Sequence, residues 1–463
     1  DPNLFVTVGK DHTVWWEYSE ALGAINIKAA GEYQTFFKAR YVVSLLHNRQ
    51  GDLVTGDSNG NVYVWGGGGN LITNYIKHAH EGPVFSLCLY RGWLLTGGHD
   101  SALRCWQWGR NMDRVSELRL PVTEGAPRCI RAHRGAEVDR LIVGTTANSM
   151  LDCPLCPEPG LAPLEGVAFG DVPITQGHYD QLQSLSLVPG HESLFITAGY
   201  DSQVCIFNAD NHSSVQKTVL KKKCITYASW DESSTIIFGT RNGEIIILYE
   251  ENSNLVELFK SSIAYCKVSA IAMSHTKETV AVGGSDGRVH FLRFLPTEED
   301  PTVRAWQPAG QLLATRHGVD ALDFAEDFID ESLIVCATNT SGERAICDAT
   351  NFCLLEDEEK VRDVRWKTHN FLFAYYNVGA WNSKSSQESS ITSVDVCIER
   401  ELLAVGLNNG HILLYKYPCT KSDAYCHTFV GPTKITALKF TSDGRHLISI
   451  GGRDACVMQW RLT

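Results

Sequence analysis

Apolar and polar residues alternate with a period of two in short stretches that recur along the chain, each introduced by a turn rich in Gly, Asp and Asn. In "GDSNGNVYVW" (56–65) the Asn-Gly pair is typical of a tight turn, because these residues tolerate positive φ, and "NVYVW" alternates like a strand with one buried face. Related turn-and-strand stretches begin at Gly98, Gly199, Gly239, Gly283, Gly406 and Gly451.

Each of these turns is preceded by another apolar strand, as in "VFSLCLYRGWLLTGGHD" (84–100). The turns return every 40 to 45 residues or so, which is about the length of one four-stranded propeller blade. A meander of this kind cannot bury both of its faces alone, so neighbouring units must stack around an axis. The pattern therefore predicts β-propeller blades, and the scarcity of 3.6-residue apolar periodicity predicts few helices.

The repeat predicts roughly eleven units, whereas one propeller has about four to eight blades, so two propellers are expected. The unit at 361–386 is short and is followed by the polar segment "NSKSSQESS". The predicted fold is all-β, with two tandem WD-type β-propellers. The first is incomplete in this chain and contributes its C-terminal blades (1–170); the second is atypical, with about six to seven blades (171–463). The predicted units are 1–38, 42–78, 84–124, 127–176, 182–221, 224–263, 268–313, 319–357, 361–386, 391–433 and 435–463.

The end of the chain, "VMQWRLT" (457–463), is predicted to be the third strand of a blade. An unpaired fourth position would expose backbone N–H and C=O groups. The apolar segment "DVPITQG" (171–177) is predicted to supply that strand, with Val172–Gln176 pairing with Cys456–Arg461 and closing the second propeller.

Composition narrows the class of protein. Of 463 residues, 44% are apolar and 20% charged, which argues against disorder, and the net charge of −12 disfavours generic binding to nucleic acid or to an anionic membrane. The fifteen Cys are scattered, many of them in predicted strands, without the spacing of a disulfide framework. We interpret them as reduced, small apolar fillers, which predicts a cytosolic protein with no signal peptide or membrane span.

The most specific polar pattern lies at the predicted blade corners. In WD-type blades a His, a Ser or Thr, an Asp and a Trp form a buried hydrogen-bonded chain. A His/Ser/Asp combination could also suggest a hydrolase, but here these residues belong to the repeat, and a buried Asp needs partners. We therefore assign a structural role to one full set, His80, Thr96, Asp100 and Trp106, and to a second set, His178, Thr197 and Asp201, in which Phe207 replaces Trp.

Other motifs receive simpler interpretations. Cys153-Pro-Leu-Cys156 lacks the second ligand pair of a zinc site, so no metal is predicted. The "GGGG" at 66–69 lacks the Gly-Lys-Ser/Thr of a phosphate-binding loop, so no cofactor is predicted. The run Lys221, Lys222 and Lys223 is either a solvated loop or a contact for an acidic partner. Packing roles are assigned to Arg362, Arg365 and Trp366.

Four segments together resemble one known family, the echinoderm microtubule-associated protein-like (EML) family. The segments match in order and spacing over nearly the whole chain, and "TGDSNGN", "AHEG" and "PITQGH" are not required by a blade corner alone. They are "GDLVTGDSNGNVYVWGGGGNLITNYIKHAHEGPVFSLC" (51–88), "LIVGTTANSMLDC" with "VPITQGHYDQLQSLSL" (between 141 and 187), "VRDVRW" (361–366) and "HLISIGGRDACVMQW" at the end.

The resemblance implies a seven-bladed WD propeller packed against a second, atypical propeller, without catalytic activity. It implies binding to microtubules or soluble tubulin, and a location in the cytoplasm on the microtubule cytoskeleton, with the cilium or axoneme as an option. For Lys221–Lys223 a solvated loop remains the favoured interpretation, and the family context makes a contact with acidic tubulin tails the alternative to test. The hydrophobic motif that precedes the first blades in the family is missing, as is the N-terminal coiled coil of some members. The sequence is therefore expected to be a piece of a longer polypeptide, and tubulin binding depends on what precedes it.

Two other classes of function remain open. A generic WD-type adaptor would recruit protein partners without binding tubulin, because propellers serve many partners. A propeller enzyme would need convergent polar residues in a central funnel, and the sequence shows no His/carboxylate cluster beyond the blade corners. The enzyme is the weakest of the three.

Overall fold

The structure is a computed structural model. It describes residues 3–462 except 49, 68, 110, 136–137, 159, 171–172, 175, 221–224, 232–234, 252–253, 264–265, 298–303, 357–360, 362–363, 370–374, 382–388, 422–423 and 432. The chain separates into two compact units, Asp1–Gly177 and His178–Thr463.

In the residues described for the first unit, four antiparallel sheets follow one another along the chain. Successive first strands, β1, β4, β8 and β12, contact each other in that order. The strands are β1 (Leu4–Gly9), β2 (His12–Ser19), β3 (Ala24–Ala30), β4 (Val42–His47), β5 (Leu53–Asp57), β6 (Val62–Trp65), β7 (Ile72–Ile76), β8 (Val84–Tyr90), β9 (Trp93–Gly98), β10 (Ala102–Gln107), β11 (Arg114–Arg119), β12 (Pro127–His133), β13 (Arg140–Thr145) and β14 (Met150–Pro154), with a 3₁₀ turn at Val122–Glu124.

The described part of the second unit contains six antiparallel sheets, five of four strands and a last one of three. Each sheet is a meander in which consecutive strands pair. The strands are β15 (Leu182–Leu187), β16 (Leu194–Gly199), β17 (Gln203–Asn208), β18 (Ser214–Val219), β19 (Ile225–Asp231), β20 (Thr235–Thr240), β21 (Glu244–Glu251), β22 (Asn254–Ser262), β23 (Val268–Met273), β24 (Thr279–Gly284), β25 (Arg288–Pro296), β26 (Arg304–Leu313), β27 (Ala321–Phe324), β28 (Ile334–Thr338), β29 (Arg344–Asp348), β30 (Cys353–Leu354), β31 (Ile391–Cys397), β32 (Leu402–Leu407), β33 (His411–Lys416), β34 (Cys426–Val430), β35 (Ile435–Phe440), β36 (His446–Gly451) and β37 (Val457–Arg461).

The apolar cores lie between consecutive sheets rather than within one sheet. Leu103 and Cys105 of β10 share a buried cluster with Leu141 and Val143 of β13. In the second unit, Phe291 of β25 shares a cluster with the β27 and β28 side chains. Because each blade buries its faces only against its neighbours, the stacking expected from the repeat is confirmed, and the chain is an all-β protein with tandem propellers.

The second unit closes into a ring. Its first strand, β15, contacts β35 of the last blade, and the Leu182 amide donates to the Gly452 carbonyl at 2.9 Å. Leu182 and Phe195 of the first blade also share a buried cluster with Ile448 and Ile450 of the last. The ring is therefore held together by an ordinary inter-blade core at the place where its ends meet.

The described residues of the short unit predicted at 361–386 pack between the fourth and fifth sheets of the ring. Trp366 forms a β-bridge with Ala325, and the Lys367 amide donates to the Phe324 carbonyl at 2.9 Å, so this segment lies along the end of β27. A 3₁₀ turn (Tyr375–Asn377) and helix α1 (Val378–Trp381) follow. The ring thus has six sheets and one irregular position, in agreement with the predicted six to seven blades.

One turn of the opening motif requires glycine. Gly60 has φ 86°, and a Cβ built on it would lie 1.9 Å from the His80 carbonyl oxygen. The Gly60 carbonyl accepts the His80 amide at 3.1 Å, which joins this turn to the loop before β8. The Asn-Gly signal therefore marks both a positive φ and a close approach of two loops.

The segment predicted to close the second ring contacts the first unit where it is described. The Gly170 amide donates to the Asp152 carbonyl at 3.3 Å and the Ile174 amide to the Met150 carbonyl at 2.8 Å, so this stretch runs along β14. The units divide at Gly177 rather than at the predicted 170/171. Val172 and Thr175 lie outside the described residues, so pairing of Val172–Gln176 with β37 stays a prediction.

Among the described helices, none has the length and apolar character needed to cross a membrane.

Candidate functional site

The structure brings together the four residues of the first predicted corner set. His80 lies in the loop before β8, Thr96 on β9, Asp100 in the turn after β9 and Trp106 on β10. Nδ1 of His80 lies 2.8 Å from Oδ1 of Asp100, and its Nε2 lies 2.7 Å from the Thr96 hydroxyl. The Trp106 indole N–H donates to the same hydroxyl at 2.9 Å. Both His80 and Thr96 are buried, so the chain of hydrogen bonds satisfies polar groups inside the blade.

The sequence did not reveal a fifth member of this corner, Arg104. Its guanidinium lies 2.9 Å from Oδ2 of Asp100, donates to the Ala79 carbonyl at 2.6 Å and bonds Glu117 on β11 at 2.8 Å. Burial raises the pKa of Asp100, but hydrogen bonds and charge from His80 and Arg104 outweigh burial and hold that pKa well below its usual range. The only signal in the sequence is an Arg on an inward-facing strand four residues after the turn Asp.

The second predicted corner has the same geometry. His178 Nδ1 lies 2.9 Å from Oδ2 of Asp201, and Nε2 lies 2.9 Å from the Thr197 hydroxyl. Phe207 stacks on Phe195 with ring centroids 5.6 Å apart, where a Trp would have reached the hydroxyl. Burial lowers the pKa of His178, but Asp201 and Cys205 outweigh it and raise the pKa to about 9.

The corner of the opening motif is a variant without histidine. Oδ2 of Asp57 accepts hydrogen bonds from the side-chain amide of Asn61 at 2.9 Å and from the Tyr63 hydroxyl at 3.0 Å. The Trp65 indole donates to the Thr55 hydroxyl at 2.9 Å. Asn61 and Tyr63 therefore give the buried carboxylate the partners that His80 and Arg104 give Asp100.

We expect replacement of Asp100 to destabilise the first unit without removing a chemical activity. Asp100→Ala leaves His80 and Arg104 buried with unmet hydrogen-bonding groups, at a cost of about 1–3 kcal/mol. The free energy of unfolding from urea titration measures this loss, and Asp113→Ala, which removes an exposed carboxylate from the same blade, is the control. An unchanged unfolding curve together with abolished partner binding would instead make Asp100 a binding residue.

The remaining sequence candidates are dispersed. Lys221, Lys222, Lys223 and Arg362 lie outside the described residues. Trp366 is buried, as predicted, whereas Arg365 is exposed, which does not fit the packing role predicted for it. Cys153 is buried in a core cluster and neither it nor Cys156 belongs to a group of potential metal ligands among the described residues.

A polar cluster that the sequence did not indicate lies where the inner strands of the second ring end. Lys439 at the end of β35 contacts Asp395 of β31 at 2.5 Å, and the Phe440 amide donates to the other carboxylate oxygen at 2.8 Å. Asp323 of β27 is fully buried and accepts the Thr368 amide at 3.0 and 3.1 Å. These side chains come from three blades and the irregular segment, and they line a cavity of about 650 Å³.

Burial shifts the titration of this cluster. It raises the pKa of Asp323 to about 7, although hydrogen bonds from Thr368 and the charge of Lys439 oppose the shift. Burial likewise raises the pKa of Asp395 against the opposing charge of Lys439, and it lowers the pKa of His369. The carboxyl groups have hydrogen-bond partners, so the cluster holds the strand ends together.

Comparison with known proteins assigns both units to one family. A family model for the second beta-propeller of echinoderm microtubule-associated protein matches residues 182–462, and a model for its first beta-propeller matches residues 1–153. The chain is 29% identical to echinoderm microtubule-associated protein-like 2 of Rattus norvegicus, covering 100% of the chain and 67% of the relative. It is 26% identical to echinoderm microtubule-associated protein-like 1 of Homo sapiens and 26% identical to protein-like 3 of Mus musculus, covering 53% and 50% of those relatives. The chain thus spans between half and two thirds of these relatives' length.

Proposed function

Because this chain belongs to the echinoderm microtubule-associated protein-like family, we propose that it is a non-catalytic protein that binds microtubules or tubulin and acts as a cytoskeletal scaffold or regulator of microtubule dynamics. The observation that carries the proposal is the match of both propeller models, which together extend over 1–153 and 182–462. The relatives are named as microtubule-associated proteins. A cytoplasmic location on microtubules, including those of a cilium, follows from the same proposal.

The described polar clusters support a binding role rather than catalysis. The His/Thr/Asp sets resemble parts of a hydrolase site, but each is buried inside a blade, with His80 and His178 almost inaccessible to solvent. A nucleophile needs a substrate-accessible position beside its base. What these corners do well is fix the loops that join the strands, and propeller loops are where partners bind.

Co-sedimentation of the full-length protein with taxol-stabilised microtubules tests the proposal. We expect the protein to pellet with microtubules in a saturable manner and with less binding as the salt concentration rises, since tubulin is acidic at its tails. Absence from the pellet at low salt, while the protein remains folded, would favour the alternative of a WD-type adaptor that recruits other proteins.

The basic run gives a sharper expectation within this proposal. If Lys221, Lys222 and Lys223 contact acidic tubulin tails, replacing all three with Glu should weaken binding most strongly at low ionic strength, because screening reduces the attraction at high salt. The measurement is the fraction pelleted between about 50 and 200 mM salt, where the screening length shortens. Microtubules with their acidic tails removed by subtilisin are the control. Equal pelleting of variant and parent at every salt concentration would leave these lysines in a solvated loop.

A further inference from the structure

A second cavity, of about 470 Å³, lies beside the irregular segment of the second ring. Its volume is within the range of small-ligand sites. Three aromatic side chains among the described residues line it: Trp366, which is bridged to Ala325 just after β27, Tyr376 from the 3₁₀ turn, and Tyr417 just after β33. The rings of Tyr376 and Tyr417 have centroids 6.3 Å apart and are tilted by 56°. The irregular segment thus builds a partly aromatic recess where a regular blade would have packed its strands.

A buried hydrogen-bond acceptor lies in this recess without a partner. Asn377 is 2% exposed, and no described residue is a hydrogen-bond partner of its Oδ1. A buried carbonyl oxygen left unpaired destabilises the folded state, so such groups are rarely retained without a reason. Because Oδ1 is only an acceptor, the group that completes this site must be a donor.

The charged side chains of the recess are exposed. Glu326 and Arg365 both line it and both face solvent, and they are adjacent through a backbone bond from the Glu326 amide to the Arg365 carbonyl. His369 also lines it, and burial lowers the pKa of His369, so the imidazole adds no charge near neutral pH. Arg365 can turn its long side chain into water. Glu326 then remains as a carboxylate beside the aromatic walls.

We propose that this recess binds the cationic side chain of a lysine or arginine in a partner peptide. The aliphatic stem and charged head of such a side chain lie against Trp366, Tyr376 and Tyr417, a surface that attracts cations. An N–H of the head donates to Oδ1 of Asn377, and Glu326 balances the charge. The net charge of −12 on the chain favours approach of a basic peptide. Such a partner differs in charge from acidic tubulin tails, so this site is independent of the proposed microtubule contact.

Short capped peptides test this site in the intact chain. The probes are Ac-Gly-Lys-Gly-amide and Ac-Gly-Arg-Gly-amide, and the controls are the same peptides with acetyl-lysine or citrulline, which keep the shape and lose the charge. Titration followed by saturation-transfer NMR should give dissociation constants on the order of 1 mM for the cationic probes, as expected for ligands of this size. The neutral peptides should bind at least about tenfold more weakly, because they lose the cation–π attraction and the charge of the donor.

Substitutions at two exposed charged residues test whether the peptides bind in this recess, because the two changes should alter the affinity in opposite directions. Glu326→Gln should weaken binding of the cationic peptides roughly two- to fivefold. Arg365→Gln should strengthen their binding by a similar factor, as expected for one partly exposed charge pair. Glu192→Gln, which removes an exposed carboxylate elsewhere on the ring, should change nothing. All three positions are exposed, so folding should be preserved, which thermal melting checks. Three results would overturn the proposal: equal binding of the lysine and acetyl-lysine peptides, a strengthening by Glu326→Gln with a weakening by Arg365→Gln, or no binding at about 20 mM peptide, 20-fold the expected dissociation constant.

Discussion

Deletion of residues 457–463 is expected to unfold the second unit cooperatively, leaving the first unit folded. These residues include β37, which pairs with β36 over five positions from Val457 to Arg461. Val457 packs on the core that joins the first and last blades, and Trp460 and Leu462 pack on the core between the fifth and sixth sheets. Trp460 also donates to the Ser449 hydroxyl at 2.9 Å.

The expected loss is large because two inter-blade cores are opened at once. Three half-buried apolar side chains contribute on the order of 3 kcal/mol through burial, and removal of the β36 partner adds unpaired backbone groups. Since the first and last blades meet at Leu182, Ile448 and Ile450, weakening this junction weakens ring closure itself.

Thermal unfolding followed by circular dichroism, together with limited proteolysis, measures this effect. We expect the thermal unfolding curve of the truncated chain to lack the transition of the second unit. Proteolysis should leave a fragment of the first unit that resists cleavage. Trp460→Phe is the matched control, because it keeps an aromatic ring against Phe429 and keeps β37, while it removes the hydrogen bond to Ser449, worth about 1 kcal/mol, and part of the ring area. Cleavage confined to residues near the new end, with both transitions retained, would show local fraying and contradict the prediction.

Asp323→Asn is expected to stabilise the second unit at pH 8 and to remove part of the pH dependence of its stability. The folded pKa of Asp323, about 7, lies above the 3.8 of an unperturbed aspartate, so the folded state binds this proton more tightly than the unfolded chain does. Stability is therefore greatest below the unfolded pKa and falls as pH rises from about 4 to about 7, after which it is constant. At about 1.4 kcal/mol for each pKa unit, the upper limit of this loss is about 4 kcal/mol.

Comparing the Asp323→Asn variant with the parent protein separates the contribution of Asp323 to the pH dependence of stability from the contributions of its neighbours. His369, Asp395 and Lys439 also titrate or carry charge beside it, and the lowered pKa of His369 acts in the opposite direction. Urea unfolding from pH 5 to pH 8 should show the variant gaining stability relative to the parent as pH rises. Asp327→Asn, at an exposed position in the following loop, should give a curve parallel to the parent. Parallel curves for Asp323→Asn would mean that this carboxyl is ionised in the folded protein throughout the range.

The repeat and the blade corners were predictable because their interactions are local. The turn, its Asp and the following strand lie within about one blade length, so their periodicity appears directly in the sequence. The bonds joining His80, Thr96, Asp100 and Trp106 span at most 20 residues. Even the short unit at 361–386 was visible as a break in the period, and the ring of six sheets with one irregular position follows from it.

The sites of the second ring were decided by tertiary structure. Asp395 meets Lys439 across 44 residues and Asp323 meets Thr368 across 45, and each residue by itself is an ordinary polar position at a strand end or in a loop. Asn377 becomes a buried acceptor only because the irregular segment packs between the fourth and fifth sheets. The sequence by itself determined the blades and their corners, since the alternation of apolar residues and the turn residues act over a few positions. Only the closed ring decided which polar groups share a cavity, because that depends on which strand ends meet at the axis.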